Sequence, residues 1–208
     1  EDPSVKENKG DIGYITALTL PYDLENLAYQ TPVGHYSRPY RSGIGYHIFL
    51  NAGTRPAAGR MKVAQILLAF PPNAGAAQKQ TLGRLADSLY QVILKGGDFK
   101  SLAEQFSNDN ISYQIGGELP AFGVGRYDPA FEAAAFALQK DGDLSRPVET
   151  AFGYHIIKRL GRTPVPSAND PVYLKNLKQD ILQSDRMVVA RQALLKKIER
   201  ETGFHRNS

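Results

Sequence analysis

Met61–Phe70 (MKVAQILLAF) is a mostly apolar run closed by Pro71-Pro72, and it predicts a buried strand. Ala76–Lys95 places Leu82, Leu85, Ala86, Leu89 and Ile93 at helical spacing and stops at Gly96-Gly97, which predicts an amphipathic helix. Asp98 is placed to cap a short second helix carrying Leu102, Ala103 and Phe106. Ser107–Gly117 is polar and reads as loop, and Leu119–Phe122 as a short strand. Pro129–Leu138 begins with proline at a first helical position and reads as a helix. Asp141-Gly142 is a turn, and Phe152–Arg159 alternates as a final strand. Asp170-Pro171 then starts a helical pattern through Leu174, Leu177, Ile181, Val188, Leu195 and Ile198 to Gly203, a rod of ~45 Å if unbroken, with Ser184 and Arg191 interrupting its apolar seam. The expected class is α+β: a small antiparallel sheet covered by helices, plus a long C-terminal helix.

The chain also repeats itself. GHYSRPYRSGIGYHI (Gly34–Ile48) matches GDLSRPVETAFGYHI (Gly142–Ile156) at eight of fifteen positions. Upstream, after a one-residue gap, Asp2 falls on Asp109, Gly10-Asp11 on Gly117-Glu118, Ile12 on Leu119, and Leu24-Glu25 on Phe131-Glu132. Asp2–Phe49 is therefore read as a diverged copy of Asp109–Ile157. It has no counterpart of Met61–Ser107. The expected organisation is 1–50 as the C-terminal half of a first domain, a Gly/Pro-rich linker at 51–60, and a complete domain at 61–160. A linker at 161–169 and a helical segment at 170–208 follow. About 50 residues of such a fold cannot easily cover their own sheet face. Three completions are open: an upstream segment, a neighbouring chain (self-association by swapping), or the C-terminal helix.

Composition narrows the chemistry. The 208 residues carry a formal charge of +4 and no cysteine, which excludes disulfides, thiolate metal sites and a cysteine nucleophile. No basic stripe interleaved with aromatics argues for nucleic acid. No apolar run approaches the ~18 residues of a membrane span. The four histidines show no metal-ligand spacing, and the glycine clusters lack the pattern of a phosphate loop.

VAQILLAF, GGDFKSLAEQFSND, GGELPAFGVGRYDPAFEAAAFAL and SRPVETAFGYHIIKRL, in this order and spacing, resemble the parvulin-type peptidyl-prolyl isomerases. The likeness covers Lys62–Leu160, with the second half of the pattern again in Asp2–Leu50. The resemblance implies cis/trans isomerisation of X-Pro bonds without cofactor, metal or covalent intermediate. It implies partners that are unfolded or proline-containing polypeptides. A tandem arrangement with helical flanks further resembles cell-envelope folding chaperones, and so implies a periplasmic or envelope location. Carried over by position, the catalytic polar group is Asp109, His155, Gln65 and Thr150, and the proline pocket is Leu119, Phe122, Tyr127 and Phe131. Three positions depart from the usual pattern: Gln65 stands for His, Tyr127 for Met and Pro120 for Gly. Each residue also has a plain structural role open to it: His155 as a satisfied buried histidine, Asp109 as a loop cap, Thr150 as a strand former, Phe122 as core. Two functions use the same groove, an isomerase and a weakly catalytic peptide-holding chaperone module.

Overall fold

The computed structural model describes residues 10–203, which form two compact units. One gathers Ala57–Val165 with the described residues through Ile15; the other gathers Thr16–Pro56 with the described residues from Pro166. Asp2 and His205 lie outside the described residues. In chain order the elements are α1 (Tyr22–Gln30), β1 (Tyr40–Ser42), β2 (Gly45–His47), β3 (Arg60–Ala69), α2 (Ala76–Leu94), α3 (Phe99–Phe106), a 3-10 turn (Tyr113–Ile115), α4 (Pro129–Ala137), β4 (Val148–Thr150), β5 (Gly153–Thr163), α5 (Pro171–Gln183) and α6 (Arg186–Thr202).

In the larger unit an antiparallel sheet runs β3-β5-β4. The outer edge of β3 is taken by the stretch after the 3-10 turn: Leu119 N–H donates to Val63 O at 2.9 Å, and Met61 and Phe122 exchange both backbone bonds. The expected short strand is thus an irregular fourth ladder. Side chains alternate across β3, and each face has its own core. Ala64, Ile66 and Leu68, with Ile156 of β5, meet Ala86, Leu89 and Ile93 of α2 and Phe99 and Ala103 of α3. On the other face Met61, Val63 and Ile157 meet Leu119, Phe122 and Phe131, Ala135 and Phe136 of α4. Leu85 is the exception to the helical stripe and is exposed. Local signals set the helix starts: Asp98 accepts from Ser101 N–H at α3, and Asp128 accepts from Ala130 N–H at α4.

In the smaller unit, β1 and β2 repeat β4 and β5. Tyr40 pairs with His47 as Val148 pairs with His155, and Ser42 with Gly45 as Thr150 with Gly153. Phe49 N–H donates to Ser37 Oγ at 2.9 Å as Ile157 N–H does to Ser145 Oγ at 3.0 Å. The C-terminal segment is helical but is two helices rather than one rod. Ser184 turns to φ −87°, ψ 166°, and its hydroxyl donates to Ile181 O at 2.8 Å, a side-chain bond that competes with helix continuation. The break serves α1, whose own cap position is Pro21, without an acceptor. Asp185 accepts from Tyr22 N–H at 2.8 Å, while Arg186 pairs with Glu25 at 2.5 Å and lies 4.7 Å over the Tyr22 ring. The C-terminal helical segment thus touches the first copy at α1.

Candidate active site

Alternation puts Gln65 on the Val63 face of β3 and His155 on the Ile157 face of β5. β5 is the middle strand. Leu67 lies opposite His155, and Thr150 opposite Gly153, so Gln65 and Thr150 are both diagonal neighbours of His155. All three are buried, at 7%, 7% and 6% exposure, so each polar atom needs a partner. Asp109 comes from the loop after α3. Ser107 Oγ ties that loop to β3, accepting from Leu67 N–H at 3.1 Å.

The side chains form one hydrogen-bonded chain. Thr150 Oγ1 is 2.8 Å from His155 Nε2, His155 Nδ1 is 2.9 Å from Gln65 Oε1, and Gln65 Nε2 is 2.8 Å from Asp109 Oδ2. Ser112 Oγ donates to the same Oδ2 at 2.5 Å, and Ile111 N–H donates to Oδ1 at 3.2 Å. Bond direction follows from the ends. An ionised carboxylate only accepts, so Gln65 turns its NH2 to Asp109 and its carbonyl to His155. The imidazole therefore carries its proton on Nδ1, and Nε2 accepts from the Thr150 hydroxyl. Thr150 Oγ1 in turn accepts from Phe152 N–H at 3.1 Å. Every proton in the chain points toward Asp109.

Charge agrees with this direction. Burial pushes His155 down to about 4, against the pull of the Asp128 and Asp109 charges, so the ring is neutral near pH 7. Burial also acts on Asp109, upward. Hydrogen bonds from Ser112, Gln65 and Ile111 outweigh it and hold the carboxyl below its ordinary value. For stability, the unfolded imidazole takes up a proton first as pH falls. Between about 6.5 and about 4 the unfolded state binds more protons, so the His155 contribution is complete above that window and is lost through it, ~3 kcal/mol in all. An NMR titration of the ring protons is expected to leave His155 neutral down to pH 5, whereas a midpoint near 6.5 would contradict the buried neutral ring.

Against this chain stands an aromatic cluster. The Phe131 ring meets the His155 ring edge-on at 5.2 Å. Tyr127 packs 5.3 Å from Phe131 and 4.7 Å from Phe122, with Phe122 in turn 6.1 Å from Phe131. Leu119, Phe122 and Phe131 are buried and belong to one core, while Tyr127 is partly open. All eight residues singled out from the sequence lie on this one face. Two neighbours went unnoticed. Ser112, 1% exposed, holds the Asp109 carboxylate, and its signal was a hydroxyl three residues after an acid in a loop. Glu132 is a single charge inside the otherwise apolar PAFEAAAFA helix, itself a signal that a buried partner awaits it. Among the described residues, no group of three or more His, Asp or Glu side chains is placed to hold a metal ion.

Gln65 sets the polarity of the chain, and two substitutions test that. Gln65→His can donate through one ring nitrogen and accept through the other, so any activity of the site is expected to persist. Gln65→Glu has no donor and sets a second carboxylate against Asp109. It is expected to raise one carboxyl pKa of the pair and to lower activity about tenfold or more. Equal behaviour of the two variants in the same assay would contradict the polarity.

A family model described as a PPIC-type PPIase domain matches residues 49–163, and a second model of the same description matches residues 1–52. Chaperone SurA of Chromohalobacter salexigens is 35% identical over 156 residues, covering 72% of this chain and 35% of that protein. Foldase protein PrsA 2 of Listeria innocua is 47% identical over 73 residues, covering 35% of this chain and 25% of that protein. The crystal structure of the peptidylprolyl isomerase PrsA from Bacillus anthracis aligns at 27% identity with a TM-score of 0.47, covering 73% of this chain and 64% of that one. The chain thus spans well under half the length of these curated relatives.

Proposed function

The chain belongs to the PPIC-type peptidyl-prolyl isomerase family, and from that premise we propose that its larger unit is a working isomerase that assists protein folding. The observation that carries the proposal is the Asp109–Gln65–His155–Thr150 chain lying directly against the Phe122–Tyr127–Phe131 cluster. The X-Pro bond isomerises in tens to hundreds of seconds because the amide must lose its resonance as it twists. In the planar form the carbonyl oxygen carries the most negative charge; in the twisted form that charge returns to nitrogen. A fixed carboxylate beside the carbonyl therefore raises the planar form more than the twisted one. Asp109 has that charge, and Ser112, Gln65 and Ile111 hold it in one orientation. The aromatic face supplies a rigid apolar surface for the proline ring. The reaction needs no proton transfer, so a neutral His155 and a Gln65 that cannot titrate serve it as struts. No cofactor enters.

The substrates in this reading are unfolded or proline-containing polypeptides. The location in this reading is the periplasm or cell envelope, carried from the resemblance to tandem envelope chaperones; confinement to a cytosolic fraction would contradict it. The functional test is refolding of a protein whose slow phase is set by a non-native X-Pro bond. The isomerase reading expects the slow phase to accelerate with added chain. Suppressed aggregation with an unchanged slow phase would favour the peptide-holding module, to which the amide at Gln65 is equally suited.

A further inference from the structure

Glu132 lies on α4 yet its carboxylate does not face solvent; it is 6% exposed. It curls back over the preceding loop and accepts three consecutive backbone N–H groups. Gly125 donates to Oε2 at 3.0 Å, Arg126 to Oε1 at 2.7 Å and Tyr127 to Oε1 at 2.8 Å. Charge-assisted bonds of this kind are about twice as strong as neutral ones. They close a loop that no strand holds, and the loop ends on Tyr127, the partly open wall of the aromatic cluster.

The first copy supplies an internal comparison. Glu25 aligns with Glu132, and Leu18 with Gly125. Leu18 takes φ 70° and Gly125 φ 84°, and Leu18 N–H donates to Glu25 Oε2 at 2.7 Å. There the likeness ends. Glu25 Oε1 is occupied by Arg186, Thr19 N–H donates to Thr16 O instead, and Leu20 stands where Tyr127 stands in the second copy. The same carboxylate therefore holds a loop three-fold only in the copy that carries the aromatic wall.

We infer that Glu132 is a positioning residue for substrate binding: it fixes the 125–127 loop so that Tyr127 forms one wall of the proline pocket. Resting on the isomerase reading, this assigns Glu132 to binding and leaves the twisting step to the Asp109 chain. Glu132 acts through Tyr127, so the two residues are energetically coupled.

The test uses the whole chain, with a short Ala-Leu-Pro-Phe peptide as substrate and as ligand. Glu132→Gln is expected to raise KM about tenfold with kcat within twofold, and Tyr127→Leu to do the same. The double variant is expected to be no worse than twofold beyond either single one. Direct peptide titration by NMR is expected to show the same loss of affinity. That readout needs no turnover, so a failed isomerase reading with intact binding still reports on Glu132. A fall in kcat at unchanged KM, or losses that multiply in the double variant, would overturn the assignment. Should Glu132→Gln not fold, amide hydrogen exchange of the wild-type chain decides. Protection of Gly125, Arg126 and Tyr127 at the level of α4 supports the clamp, and exchange at open-loop rates overturns it.

Discussion

Asp109→Ala is expected to slow catalysed X-Pro exchange about a hundredfold while the sheet and helices remain folded. Removing one preorganised group from an electrostatic site costs in that range because the protein has already oriented it before the substrate arrives. Three donors converge on this one carboxylate: Ser112 Oγ, Gln65 Nε2 and Ile111 N–H. Truncation leaves the buried Gln65 and Ser112 donors unpaired, so a stability loss of about 1–3 kcal/mol should accompany the kinetic one. The two effects separate by assay: thermal unfolding reads the second, and exchange well below the midpoint reads the first. A variant with wild-type exchange would remove Asp109 from the chemistry and leave it the loop cap that its surroundings also permit.

Gly117→Ala is expected to be the most destabilising single methyl addition in the larger unit, about 3 kcal/mol or more. Gly117 sits at φ 79°, where a side chain costs about 1–2 kcal/mol by itself. Its backbone crosses β3 so closely that an added Cβ would lie 2.0 Å from Gln65 O. That neighbour is backbone, held in the sheet, and Gln65 N–H donates to Gly117 O at 2.8 Å. Relief would require lifting the 112–118 loop off the strand, which also moves Ser112 away from Asp109. The adjacent Gly116, at φ 75°, is the comparison: its nearest neighbours would be Lys100 side-chain atoms, Cγ at 2.7 Å and Cβ at 3.2 Å, rather than sheet backbone. Gly116→Ala should therefore cost less than Gly117→Ala, because a helix-borne side chain and not a paired strand has to give way. Equal drops in Tm for the two variants would contradict the close approach.

Much of this architecture could be read from periodicity and caps. The apolar run of 61–70, the alternation of 152–159, the stripe of 76–95, the acid before α3 and the proline that opens α4 all act locally, so the chain carries them in short windows. The duplicated segments fold alike, each as an antiparallel hairpin ending on its Gly-Tyr-His strand. What sequence could not carry was direction. Gln65 read as an amide in place of a histidine, but its orientation depends on Asp109, forty-four positions away, and on His155, ninety away. In the C-terminal segment Ser184 interrupts the apolar seam, but a polar residue in a seam does not by itself end a helix. The break is a competition between a side-chain bond and one helical turn, together with two contacts at Asp185 and Arg186 that only the folded chain brings together. Glu132 stands out as a lone charge in an apolar helix, but its partners are backbone N–H groups and carry no sequence signature.

The most direct test of the central claim is magnetisation-transfer NMR of a short X-Pro peptide with a substoichiometric amount of the whole chain at pH 7. The account predicts cis/trans exchange faster than the spontaneous rate, saturable in peptide and slowed about a hundredfold in its catalysed part by Asp109→Ala. Exchange at the spontaneous rate, with peptide resonances still shifting on binding, would contradict it and leave a groove that holds proline segments without turning them.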